Sequence, residues 1–121
     1  MNINKFTEKA QEAILAAQNL ATELNHSEIT PEHVLVTLVE QQNGIVPSVL
    51  RKMEIDPARA AREARGLLDS LPRAYGGADV RFSPRVKLVT DSALAEAQRL
   101  QDEYVSTEHL LVAIATEAGR S

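Results

Sequence analysis

The sequence contains no cysteine and no tryptophan, and only two tyrosines and two phenylalanines among its 121 residues. Without thiols there is no disulfide framework, no thiolate nucleophile and no cysteine-based zinc site, and a reducing compartment fits such a chain. With so few rings, a core has to be assembled from Ala, Leu, Val and Ile. None of the five glycines is followed by lysine, so no phosphate-cradling loop is present, and no G-x-S-x-G, H-E-x-x-H or acidic calcium loop occurs. The longest unbroken apolar run, Leu110 to Ala115, is far short of a membrane span, and Met1 to Lys5 has no apolar secretory core. A cytoplasmic protein that takes no membrane partner is expected.

Positive charge is also in short supply. The net charge is −4, and the most basic stretch, Arg59 to Arg65, reads as a solvated helix face carrying Arg59, Arg62 and Arg65 with Glu63 among them. A phosphate backbone would be repelled overall, so nucleic acid is not an expected partner. What remains is the composition of an ordinary globular domain, 44% apolar and 25% charged, long enough to enclose one core.

The chain repeats itself. Displaced by 76 positions, residues 6–40 lie over 82–116 without a gap, and eight pairs are identical. Among them are Phe6 with Phe82, Leu24 with Leu100, Glu32 with Glu108 and His33 with His109; Thr7 with Ser83 and Thr30 with Ser106 are close exchanges. Each copy opens with a long amphipathic helix. In the first, Ala10, Ala13, Ile14, Ala17, Leu20, Ala21 and Leu24 fall on one face; Val86, Val89, Ala93, Ala97 and Leu100 do so in the second. Thr7 and Ser83 are natural N-caps, and Pro84 takes a first helical position, where its missing N–H costs nothing.

A shorter helix follows in each copy, capped by Thr30 or Ser106. Ile29 with Val34, and Val105 with Leu110, form the apolar pair that fixes the angle of entry into such a helix. The first copy continues with a turn at Asn43-Gly44, a third helix from Ile45 to near Met53, and a fourth opened by Asp56-Pro57, running through Leu71 and stopped by Pro72. No segment shows sustained β alternation. The expected architecture is therefore all-α: one domain, 1–121, made of repeat one (6–72), a linker (73–81, with Gly76-Gly77 at its centre) and repeat two (82–121). The 27 positions from Ile45 to Leu71 have no counterpart, so repeat two is expected to be truncated, with apolar faces left bare.

The runs Phe6-Thr-Glu-Lys-Ala-Gln-Glu-Ala, Ile29-Thr-Pro-Glu-His-Val-Leu and Tyr104-Val-Ser-Thr-Glu-His-Leu-Leu resemble the Clp N-terminal repeat domain over essentially the whole chain. Within that family, Asp102-Glu-Tyr-Val-Ser-Thr-Glu-His-Leu-Leu and Ile45-Val-Pro-Ser-Val-Leu are most similar to the ClpB disaggregase branch; the ClpC form tends to have glycine where Ser106 stands. The resemblance implies eight helices in two pseudo-symmetric repeats, a flexible tether to a hexameric ATPase ring, and engagement of unfolded or aggregated protein substrates or of adaptor proteins. ATP and magnesium would belong to ATPase domains outside this chain; the domain itself would be a non-enzymatic monomer without cofactor or metal. Adaptor docking of the ClpA/ClpC type and a free-standing helical interaction protein are the alternative readings.

Two kinds of residue are candidates for binding. The first is the pair Glu32-His33 and Glu108-His109. A metal or acid–base site would need convergent imidazoles with an orienting shell; the plainer reading puts each Glu in a helix first turn, favoured by the dipole, and each His on nearby backbone. A third reading has both carboxylates facing each other across a seam to receive a cationic side chain such as arginine. The resemblance adds Thr7, Asp102 and Glu108 as positions that handle substrate, and Glu32 with Glu108 as the pair that receives phosphorylated arginine in the ClpC branch. The second kind is apolar: Leu15, Leu88 and Leu94 lie off the core stripes, where they either meet another helix or form a shallow groove for unfolded segments, which Val80 and Phe82 could also line.

Overall fold

Two helices of equal length anchor the computed structural model, which describes residues 1–75 and 79–119. A 3₁₀ turn at Ile3–Lys5 leads into α1, Glu8–Glu23, where the Thr7 hydroxyl accepts the Ala10 N–H at 3.1 Å. Its repeat-two counterpart α5, Pro84–Arg99, starts from Ser83, whose Oγ accepts the Val86 N–H at 3.2 Å. The two also end alike, on left-handed residues at equivalent positions, Asn25 and Gln101, each with φ of 60°. There the next N–H reaches back to a carbonyl of the last turn, His26 to Ala21 at 2.9 Å and Asp102 to Ala97 at 2.8 Å, closing the helix.

After each turn comes a short extended segment and a second helix, α2 (Pro31–Glu40) or α6 (Thr107–Ala118). Repeat one adds α3 (Ile45–Lys52) and α4 (Pro57–Leu68). α4 ends at Leu68, short of the expected Leu71, because the chain tightens into a turn with the Leu71 N–H on the Leu68 carbonyl before Pro72. The described residues thus hold six α-helices in two related units, an all-α fold as the sequence predicts.

The units are cross-stitched. Strand β1 (Glu28–Ile29) of repeat one lies parallel to β2 (Arg81–Phe82) at the start of repeat two, Ile29 opposite Phe82. The pseudo-two-fold mate of that contact is the bridge from Phe6 to Val105, with the Thr7 N–H on the Val105 carbonyl at 2.9 Å and the Val105 N–H on the Lys5 carbonyl at 2.7 Å. Each repeat therefore supplies the edge that the other's entry segment needs. Two-residue strands carry too little alternation to be read from sequence.

The span expected as the linker, 73–81, pairs with repeat one near both of its ends. Arg73 bridges His26 antiparallel, the Ala74 N–H donates to the Asn25 carbonyl at 2.8 Å, and Arg81 belongs to β2. The expected Gly76-Gly77 centre and the C-terminal Ser121 lie outside the described residues.

One main core takes residues from both repeats: Ala10, Ala17 and Ala93 let helices approach closely, and Ile29, Leu38, Val105 and Leu110 fill the space between them. A smaller cluster, Leu20, Val36, Ala64 and Leu68, seals α4 onto α2. In repeat two, the equivalents of Leu24 and Val36 are Leu100 and Val112, which are 50% and 57% exposed. No helix among the described residues covers them.

Candidate functional site

Glu32 and Glu108 occupy equivalent places, second in α2 and second in α6, yet their surroundings differ. The guanidinium of Arg85 in α5 clamps Glu32 with two hydrogen bonds, 2.8 and 2.9 Å, and holds Glu117 of α6 with two more, 2.6 and 3.0 Å. The bonds to Glu117 and Glu32 push the Arg85 pKa further up, and Arg85 holds Glu117 below its ordinary value. At the mate of Arg85 stands Lys9, whose ammonium turns to the Gln42 carbonyl at 3.3 Å and to Glu12 at 3.5 Å. Among the described residues Glu108 has no ion pair; its Oε1 accepts only from the Thr107 hydroxyl, at 3.3 Å.

Glu32 has an internal cation, and it lines neither depression to which Glu108 contributes. Arginine explains the difference, since its planar fork satisfies both carboxylates at once, which an ammonium cannot do in that geometry.

Glu108 stands where two depressions meet. One, of about 460 Å³, lies between the N-termini of α1 and α6 and is lined by Thr7, Glu8, Lys9 and Ile45. The other, of about 530 Å³, has an apolar floor of Leu100, Tyr104 and Val112 beneath Glu96, Asp102 and Glu103. Glu8 also borders a third depression, of about 600 Å³, floored by Met1, Ile3, Ile14, Leu15 and Phe82. Apolar and acidic residues alternate along this path, and Lys9 is the one lysine or arginine lining it among the described residues.

The histidines serve the backbone. His33 Nδ1 accepts the Thr30 N–H at 2.9 Å, and His109 Nδ1 accepts the Ser106 N–H at 2.9 Å, the part that Glu or Gln usually plays at the third helical position. The outer nitrogens face residues at equivalent positions: His33 Nε2 lies 2.8 Å from His26 Nδ1, and His109 Nε2 lies 2.9 Å from Asp102 Oδ2. Among the described residues no three His, Asp or Glu converge to hold a metal.

The structure therefore brings Thr7, Asp102 and Glu108 to one seam and Leu15 to its neighbour, and leaves Glu32 apart. Leu15 and Leu88 stay uncovered, at 59% and 63% exposure; Leu88 lines none of the three depressions, and Leu94 is half-buried against the main core with Val80. Leu100, expected on the apolar face of α5, is instead exposed, and it, Tyr104 and Val112 were missed as binding candidates. The signal for Leu100 and Val112 was available in the unmatched positions 45–71, since their mates Leu24 and Val36 lie under the α4 side of repeat one.

A family profile, the Clp repeat (R) N-terminal domain, matches residues 5–120. The ClpB chaperone of Bdellovibrio bacteriovorus is 40% identical over 110 residues, covering 90% of this chain and 13% of that protein. ClpB of Mycobacterium tuberculosis is 38% identical over 114 residues, 91% of this chain and 13% of that protein. The chain thus spans about an eighth of the length of these relatives. Among solved structures, the N-terminal domain of ClpV1 from E. coli superposes with a TM-score of 0.83 at 26% identity, covering 93% of this chain and 68% of that one. The Hsp104 N-terminal domain of Candida albicans gives 0.85 at 22% identity, with 95% and 76% covered. A ClpV N-domain solved in complex with a VipB peptide gives 0.77 at 24% identity, with 98% and 72% covered. Along nearly its full length, this chain belongs to the Clp repeat N-terminal domain family.

Proposed function

We propose that this chain is the substrate-capture domain of a ClpB-like disaggregase, and that it holds exposed segments of unfolded or aggregated proteins along the seam centred on Glu108. The observation that carries this reading is the asymmetry of the two glutamates. Glu32 is neutralised from within by Arg85, whereas Glu108 presents its carboxylate beside the apolar residues Leu100, Tyr104 and Val112. An unfolded chain offers what such a surface takes, apolar side chains flanked by Lys or Arg. Shallow, open depressions suit weak and sequence-tolerant contact, which raises the local concentration of clients beside a tethered ATPase ring. The same fold accommodates a VipB peptide in the ClpV N-domain, which supports a peptide segment as the occupant. ATP hydrolysis, magnesium and the hexameric state are assigned to the rest of the parent protein, in the cytoplasm.

The test is fluorescence anisotropy with a labelled, unstructured peptide of alternating leucine and arginine. Glu108→Gln is expected to weaken binding about five- to tenfold, as loss of one charged contact does, while Glu32→Gln leaves it within a factor of about two. Equal effects of the two substitutions would remove the seam from consideration. Binding of only one fixed folded partner, with no response to the peptide, would move the assignment to adaptor docking.

A further inference from the structure

Repeat one contains a pair of titratable groups that neither the seam nor its proposed client uses. His26 and His33 are 3% and 0% exposed, and their rings meet edge to face. Because His33 Nδ1 accepts the Thr30 N–H, the proton of neutral His33 sits on Nε2 and is donated to His26 Nδ1 across 2.8 Å. That places the proton of His26 on Nε2, which is buried with no partner among the described residues. Both remaining basic nitrogens already have an N–H pointed at them. A second proton on either ring sets N–H against N–H, so the pair has no place for it without parting.

The pseudo-two-fold mate makes the contrast. In repeat two the position of His26 is held by Asp102, whose carboxylate receives His109 Nε2 at 2.9 Å. An added proton there still faces an acceptor. The groups around the histidine pair do not supply one: Arg73 opposes a cation at His26, Asp69 favours it from the turn after α4, and Glu32 favours it at His33. His26 is also where the chain after α4 is fastened, through its bridge to Arg73 and through the Ala74 N–H on the Asn25 carbonyl at 2.8 Å.

We propose that the His26–His33 pair is an acid-released latch, which fastens the segment after α4 to the turn between α1 and β1 and lets it go when the pair takes up a proton. Release draws Leu71 away from the small cluster of Leu20, Val36, Ala64 and Leu68 and opens on repeat one an apolar surface like the one that Leu100 and Val112 already present on repeat two. Burial first, then His26, lowers the His33 pKa from 6.5 to about 4, and burial with Arg73 lowers that of His26. The fold thus favours the neutral pair. Its contribution is complete above pH 6.5, declines as pH falls, and is gone below about 4.

The experiment follows imidazole nitrogen shifts and amide exchange in the labelled 121-residue chain from about pH 7.5 to about pH 4. Protection of the Ala74 amide, corrected for intrinsic exchange, is expected to fall about tenfold in step with ring protonation. In His26→Asp, which copies the repeat-two arrangement, and in His33→Gln, which keeps an acceptor for the Thr30 N–H, protection stays level. Ring protonation without loss of Ala74 protection would overturn the latch, and so would equal loss in either variant. Should one variant fail to fold, the other and the wild-type titration still decide.

Discussion

At the residue scale, one exchange between related positions accounts for the difference between Glu32 and Glu108. Lys9 and Arg85 are mates, but only the arginine reaches two carboxylates from separate helices. Glu32 and Glu117 side chains are each 19% exposed, so removing their cation leaves two half-buried charges facing each other. Because Arg85 itself is 45% exposed and screened by solvent, Arg85→Ala is expected to cost about 1 kcal/mol. Arg85→Lys should recover less than half of that, since an ammonium cannot make paired bonds. Urea unfolding at low and high salt checks this, and a loss that does not shrink with salt would contradict it. The cap residues Thr7, Ser83 and Ser106, by contrast, were legible directly, because a hydroxyl before an apolar-periodic stretch acts on its own next turn and needs nothing distant.

At the element scale, helices declare themselves where local rules suffice. The apolar pairs Ile29 with Val34 and Val105 with Leu110 marked α2 and α6, and the stripe of alanines marked the buried face of α1. α4 is a different case. It has two buried residues, Ala64 and Leu68, in a small cluster, with Ala60 and Ala61 against the main core and Arg65 paired to Glu40 of α2. Leu68→Ala is expected to destabilise the protein by about 2–4 kcal/mol through lost transfer energy and the cavity left behind. Hydrogen exchange should show the loss concentrated in α4 and the C-terminal half of α2, with α5 unaffected at low denaturant. Uniform loss across all six helices would mean that α4 is not a separate unit. The early end of α4 escaped sequence reading because Pro72 constrains only its neighbour, while the turn at Leu68–Leu71 depends on where the chain must go to meet Asn25.

At the scale of the whole molecule, the two repeats are not two domains. Ile29 opposite Phe82, and Phe6 opposite Val105, make each half complete the other, and the main core draws on both. Repeat one cut out as residues 1–72 loses the partner of both bridges and the Val105, Leu110 and Ala93 side of its core. It is expected to show no cooperative thermal transition by circular dichroism, and to regain one when residues 79–121 are added in trans. A sharp melt of 1–72 alone would show the halves to be independent.

The order of apolar, capping and turn residues along the chain determined how many helices form, where most of them start, and that the chain is a duplicated all-α domain of the Clp repeat family. Those properties come from forces acting within a few residues. Which glutamate stays open and which leucines remain bare were decided only when residues far apart in the chain were brought together, whereas His33 and His109 each meet a partner seven positions back in the chain. Glu32 meets Arg85 across 53 positions, and no periodicity encodes a partner at that distance; only the packing of one repeat against the other selects it.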